Sequence, residues 1–123
     1  TDEVVAFFKA LGYHQSIETN GTRRPPRGLD YITCSPKKEA MGLLLRNFPE
    51  GVGEFRFPVG ADIDLPPAVE DLPPAGAYLL SPIFVGETQQ EVDKEAVELC
   101  VDYILAHPEW QLSLQMHKLI HIP

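Results

Sequence analysis

The chain has 123 residues and a formal net charge of −8, with 44% apolar and 23% charged residues. These values suit a single folded domain, residues 1–123, with a modest core, and they disfavour non-specific binding to nucleic-acid phosphates. No apolar run approaches the roughly 20 residues of a membrane span, and two distant cysteines, Cys34 and Cys100, make neither a disulfide framework nor a self-contained metal site.

The composition therefore points to an acidic, soluble, cytoplasmic protein. Residues 4–11 predict a short amphipathic helix, with Asp2 and Glu3 at its positive end, Thr1 as cap and Gly12 just past its last turn. Residues 14–19 read as a strand that stops at the turn signal Asn20-Gly21. Arg23-Arg24-Pro25-Pro26-Arg27-Gly28 is a stiff basic connector. Residues 30–34 form a second strand, rich in β-branched and aromatic side chains and ended by Ser35-Pro36. A weak helical pattern covers residues 37–48, with Met41, Leu44 and Leu45 on one side and Gly42 against it.

Residues 53–59 alternate, so Phe55, Phe57 and Val59 share one face of a third strand whose pairing Pro58 restricts. Residues 62–74 are an acidic, proline-rich connector with one helical turn. The apolar run 77–80 is a strand buried on both faces. The strongest helical pattern spans residues 88–106, where Val92, Ala96, Leu99, Cys100, Tyr103 and Ile104 recur at three- and four-residue spacing before Pro108. Residues 110–114 give a last strand, followed by Gln115-Met116-His117-Lys118 and, after Ile122, Pro123.

Alternation of strands and helices predicts an α/β fold with a mostly parallel sheet, whose ligands sit beyond the C-terminal strand ends. The polar groups following the strands are Glu18-Thr19-Asn20-Gly21, Ser35-Pro36-Lys37, Ser81-Pro82 and Gln115 to Lys118. Each has a plain structural alternative: a capped turn, a solvated lysine, proline punctuation, a packed histidine. Together they supply carboxylate, hydroxyl, amide and ammonium groups at one edge. Cys34 and Cys100 sit in apolar contexts that favour inert thiols. No glycine-rich phosphate loop, Ser-His-Asp pattern or complete set of metal ligands is present.

Read in order, Ile17-Glu18-Thr19-Asn20-Gly21-Thr22, Tyr31 to Lys37, Leu80-Ser81-Pro82-Ile83 and Leu114 to Lys118 resemble the radical SAM 7-carboxy-7-deazaguanine synthase family, from Ile17 to the final Pro123. The resemblance implies the C-terminal half of an incomplete (βα) barrel of the radical SAM type. It implies S-adenosylmethionine (SAM) across the strand ends, with a [4Fe–4S] cluster and Mg²⁺ in the full-length enzyme. The implied lyase reaction converts 6-carboxy-5,6,7,8-tetrahydropterin to 7-carboxy-7-deazaguanine with loss of ammonia, a step toward queuosine. The family's three-cysteine loop and Gly-Gly-Glu-Pro segment are not in this sequence. With no starting Met and an immediate helix, the expectation is a C-terminal portion that is inactive alone.

On the matching positions, Ser35, Pro36 and Lys37 fall on the SAM-contacting turn, and Ser81, Pro82, Ile83 and Phe84 on a second SAM-lining segment. The family usually has Gln where this chain has Ser81. Glu18 matches a strand-end position near the methionyl group. Pro123 matches a terminal residue that reaches the pterin, with His117 as its neighbour. No residue is assigned a catalytic or metal-binding role. The expected partner is the small pterin, without nucleic acid or membrane, and with a homodimer open. Two alternatives stand beside this reading: a fragment of another radical SAM activating enzyme, because Glu-Thr-Asn-Gly is shared across that superfamily, and a non-catalytic α/β binding domain.

Overall fold

The computed structural model describes residues 1–86 and 91–114. Its elements are α1 (Asp2–Ala10), β1 (Ser16–Thr19), β2 (Tyr31–Cys34), a 3₁₀ turn (Lys38–Leu43) running into α2 (Leu44–Asn47), and β3 (Val52–Val59). A second 3₁₀ turn (Val69–Asp71), β4 (Ala75–Pro82), β5 (Phe84–Val85), β6 (Glu91–Val92), α3 (Lys94–Ala106) and β7 (Trp110–Leu112) follow. Five strands form one sheet in the order β1-β2-β3-β4-β7, and β5 and β6 pair separately as a small antiparallel ribbon. The pairs β1–β2, β2–β3 and β4–β7 are parallel, so the fold is α/β with a mostly parallel sheet.

By internal contacts the chain divides into two units, the first Thr1–Phe55 with Ala68–Ala77, the second Arg56–Pro67 with the chain from Tyr78 onward. In the first unit, Thr1 caps α1 by accepting a hydrogen bond from the Val4 N–H, and Gly12 leaves the helix at φ +84°. The helix buries Val5, whereas Phe7, Phe8 and Leu11 are exposed. Its approach to the sheet is fixed by Gln15, whose side chain donates to the Val5 carbonyl and whose backbone exchanges hydrogen bonds with Asp30. Cys34, Ala40, Leu44, Phe48 and Phe55 form the buried centre.

The helical pattern over 37–48 resolves into two geometries. Six residues of 3₁₀ helix precede four of α-helix, and the change from 3.0 to 3.6 residues per turn shifts the phase of the apolar stripe. Leu44 is buried while Leu45, expected on the same side, is 63% exposed.

In the second unit, Trp110 is the packing centre. Phe57, Tyr78 and Tyr103 meet its ring edge-on at centroid distances of 5.7, 5.6 and 6.0 Å. Phe57 and Val59 are buried as their alternation requires. Pro58 is accommodated because the Val59 carbonyl accepts from Ile83 N–H on the β4 side, so the Pro58 nitrogen faces the other way, past the last β2 pair at Cys34–Phe55.

The long helix begins at Lys94 and not near residue 88. Val92, read as part of its apolar face, lies in β6 opposite Phe84. Asp93 sets the start: its carboxylate accepts from the backbone N–H groups of Glu95 (3.0 Å) and Ala96 (3.4 Å). Among the described residues, no helix is long and apolar enough to cross a membrane.

Candidate functional site

Parallel pairing aligns the C-terminal ends of β1 and β2. The register Glu18↔Thr33 and Thr19↔Cys34 places Glu18 and Thr33 on one face of the sheet. Pairing continues beyond both strands, because Ser35 N–H donates to the Thr19 carbonyl and Lys37 N–H to the Asn20 carbonyl, each at 2.9 Å. The backbone at Lys37 is still extended, with φ −74° and ψ 155°. Ser35 and Lys37 therefore continue the row that Thr33 begins, beside Glu18. Glu18, Ser35 and Lys37 are all exposed, and among the described residues no side-chain ion pair joins Glu18 to Lys37.

The turn after β1 is built by its own side chains. Thr19 Oγ1 accepts from Gly21 N–H (3.2 Å), and Asn20 Oδ1 accepts from both the backbone and the hydroxyl of Thr22 (3.1 and 2.7 Å). Gly21 has φ +84°, and a Cβ there would lie 2.9 Å from Leu44 Cδ2 and 3.4 Å from Cys34 Sγ, so glycine is required by both conformation and space. Asn47, which the sequence pattern did not single out, is buried and donates from Nδ2 to the Gly21 carbonyl at 3.0 Å.

The second predicted segment is placed differently from expectation. Ser81 and Pro82 do not follow a strand; they are the last residues of β4 and both are buried. Pairing with β7 ends at Leu80, and beyond it the chain is held on the β3 side, where Ile83 N–H donates to the Val59 carbonyl. Ile83 is half-buried, its N–H spent on Val59 and its carbonyl accepting from Asp93 N–H at 3.0 Å. What this segment offers a ligand is thus the half-buried side chains of Ile83 and Phe84 rather than the Ile83 backbone. His117 and Pro123, with Gln115, Met116 and Lys118, lie outside the described residues.

The thiols have a clear environment. Cys34 and Cys100 are fully buried, and desolvation pushes them up to about 12 and about 11 respectively. Both stay protonated at neutral pH, which suits packing and not metal ligation or nucleophilic attack. Among the described residues, no group of three or more His, Cys, Asp or Glu side chains is arranged to hold a metal ion.

A groove of about 710 Å³ lies at the other end of the first unit's strands, lined by residues 24–32 and 47–53. Glu18, Ser35 and Lys37 are not among its lining residues, whereas Asn47, which holds the Gly21 carbonyl, is. Arg24, in its wall, donates to the Arg46 carbonyl at 2.9 Å, and the Arg27 N–H is tied to the Asp2 carboxylate at 2.7 Å, so the basic connector is engaged in holding loops together.

Comparison with known proteins shows what the chain as a whole is related to. The chain is 35% identical over 122 residues, 98% of its length, to the 7-carboxy-7-deazaguanine synthase of Bacteroides thetaiotaomicron. It is 36% identical over 120 residues to that of Bordetella pertussis and 32% identical over 124 residues to that of Caulobacter vibrioides. The chain is a homologue of the 7-carboxy-7-deazaguanine synthases. It covers 57%, 49% and 53% of these three relatives, so it spans about half the length of the synthases it matches. No family model matches the chain. The similarity takes in both β1 with its Glu-Thr-Asn-Gly turn and the Ser-Pro-Lys segment after β2, the stretch that forms the exposed polar edge described above.

Proposed function

We propose that this chain provides the cofactor-positioning edge of a cytoplasmic radical SAM 7-carboxy-7-deazaguanine synthase, acting on 6-carboxy-5,6,7,8-tetrahydropterin. The observation that carries the reading is homology to these synthases over 98% of the chain. The exposed Glu18, Ser35 and Lys37 side chains at one strand-end edge support it.

Their chemistry fits the methionyl end of SAM, which presents one ammonium and one carboxylate. Lys37 is a donor for the carboxylate, the Ser35 hydroxyl donates beside it, and the Glu18 carboxylate accepts from the ammonium. Donors and acceptors carried on adjoining strand ends orient the ligand before reaction, which is the protein's main contribution where a cofactor performs the difficult bond changes. When bound and reduced, SAM supplies hydrogen-abstracting radical chemistry. The described residues do not fit the iron–sulfur cluster: two buried, protonated thiols on separate elements cannot make its thiolate set. The chain offers groups that place the cofactor and none, among those described, that ligate the cluster.

Isothermal titration of the purified chain with SAM tests the reading. Measurable binding is expected, weakened about tenfold in Lys37→Ala through loss of one charge-assisted contact. A chain that shows no heat of binding at millimolar SAM, or a Lys37→Ala variant that binds as tightly as the parent, contradicts it.

A further inference from the structure

The three polar side chains of the edge are exposed, and among the described residues no hydrogen bond aims them; their positions depend on the backbone beneath. That backbone is the Thr19–Thr22 turn and the Ser35–Lys37 segment. The turn's own hydrogen bonds, from Thr19 and Asn20 side chains to residues two positions on, define its shape. They do not anchor it to the rest of the first unit.

The anchoring comes from the segment between Lys37 and Asn47. It leaves the turn at Asn20, where the Lys37 N–H meets the Asn20 carbonyl at 2.9 Å. It runs through the 3₁₀ turn, opened by Ala40 N–H on the Lys37 carbonyl, and through α2. It returns at Gly21, where Asn47 Nδ2 meets the next carbonyl of the same turn at 3.0 Å. Two successive carbonyls are thus gripped by the two ends of one helical segment. Between them Leu44 packs on Gly21 so closely that a Cβ there would force its side chain to move. Asn47 is 8% exposed, one of the few buried polar side chains described. Burying an amide is costly unless its hydrogen bond is made, and an apolar side chain in its place would fill the space without directing the turn.

We infer that Asn47 is a positioning residue for the strand-end edge: through the Gly21 carbonyl it fixes the turn on which Lys37 is hung, and with it the relative placement of Glu18, Ser35 and Lys37. The inference rests on the proposed role of that edge in binding SAM.

The decisive variant is Asn47→Asp, which has nearly the same shape but replaces the donor with a carboxylate facing a carbonyl oxygen. At pH 7.5 the turn should loosen. Hydrogen exchange of the Ser35 and Lys37 amides, corrected for intrinsic rates, should then quicken by about five- to tenfold, with SAM affinity falling by a similar factor. As pH falls and the introduced carboxyl takes up a proton, its O–H can donate to Gly21, and both readouts should return toward the parent measured at the same pH. The Cys34 thiol beneath Gly21 stays protonated throughout. Amides of α3 serve as the internal control and should not respond.

Asn47→Leu keeps the branched outline with somewhat more bulk and removes the donor, so it gives the same reading without pH if Asn47→Asp does not fold. It should show the faster exchange at every pH. Parent-like exchange at Ser35 and Lys37 in both variants overturns the positioning role. Altered exchange in a protein whose parent form binds no SAM upholds the positioning of the turn and overturns the cofactor reading instead.

Discussion

Gly21→Ala perturbs the turn by two separable terms, and Gly12→Ala isolates one of them. Both glycines sit at φ +84°, so alanine at either position must adopt a left-handed backbone at a cost of about 1–2 kcal/mol. At Gly12 nothing lies within 4 Å of the new methyl, and the conformational term is the whole effect. At Gly21 the methyl would approach Leu44 Cδ2 to 2.9 Å and both Ala40 Cβ and Cys34 Sγ to 3.4 Å. Leu44 is the end of a movable side chain, but it is only 2% exposed and enclosed by the same helical segment, so relief requires repacking. Overpacking of that kind adds about 1–3 kcal/mol. Urea denaturation of the two variants against the parent should therefore show Gly21→Ala less stable than Gly12→Ala by that second term, at unchanged slope. Equal losses in the two variants would refute the claim that the turn is packed tightly against α2.

Removing the α3 cap with Asp93→Ala should cost about 1 kcal/mol in the same assay, since two N–H groups lose their acceptor. Cys34 and Cys100 should resist a thiol-specific disulfide reagent at pH 8 in the folded chain and react fully in denaturant. Because burial raises both thiols to about 12 and 11, folding disfavours the thiolate. That contribution is complete below the unfolded thiol range and is lost as pH rises from there through 11 and 12, so stability measured by denaturation should fall over that alkaline window. Gly51→Ala should be more damaging than Gly12→Ala, because its methyl would collide with the Pro74 backbone carbonyl and no side-chain movement can relieve that.

The features legible in the sequence are those with a local chemical signature. Thr1 and Gly12 bracket α1 as capping chemistry requires, and the alternation of Phe55, Phe57 and Val59 names the buried face of β3. The edge of Glu18, Ser35 and Lys37 follows from parallel topology, which aligns strand ends whenever strands and helices alternate. The β5–β6 ribbon was hidden because two-residue strands carry no periodicity, and Val92 happens to fall in phase with the helix that follows. Ser81 and Pro82 read as residues following a strand, yet they are the last two of β4, held by the long-range bond from Ile83 N–H to the Val59 carbonyl that no local pattern announces. Asn47 escaped notice for a different reason: its partner lies 26 residues earlier, and nothing in the residues around it announces a long-range hydrogen bond.

Where SAM binds tests the strand-end edge most directly. A ¹H–¹⁵N titration of the chain with SAM should move the backbone amides of Glu18, Ser35 and Lys37 and leave those of Gly28, Leu29, Asp30, Gly51, Val52 and Gly53, which line the groove, almost unchanged. Shifts centred on the groove, or none at saturating SAM, would contradict the assignment of the strand-end edge.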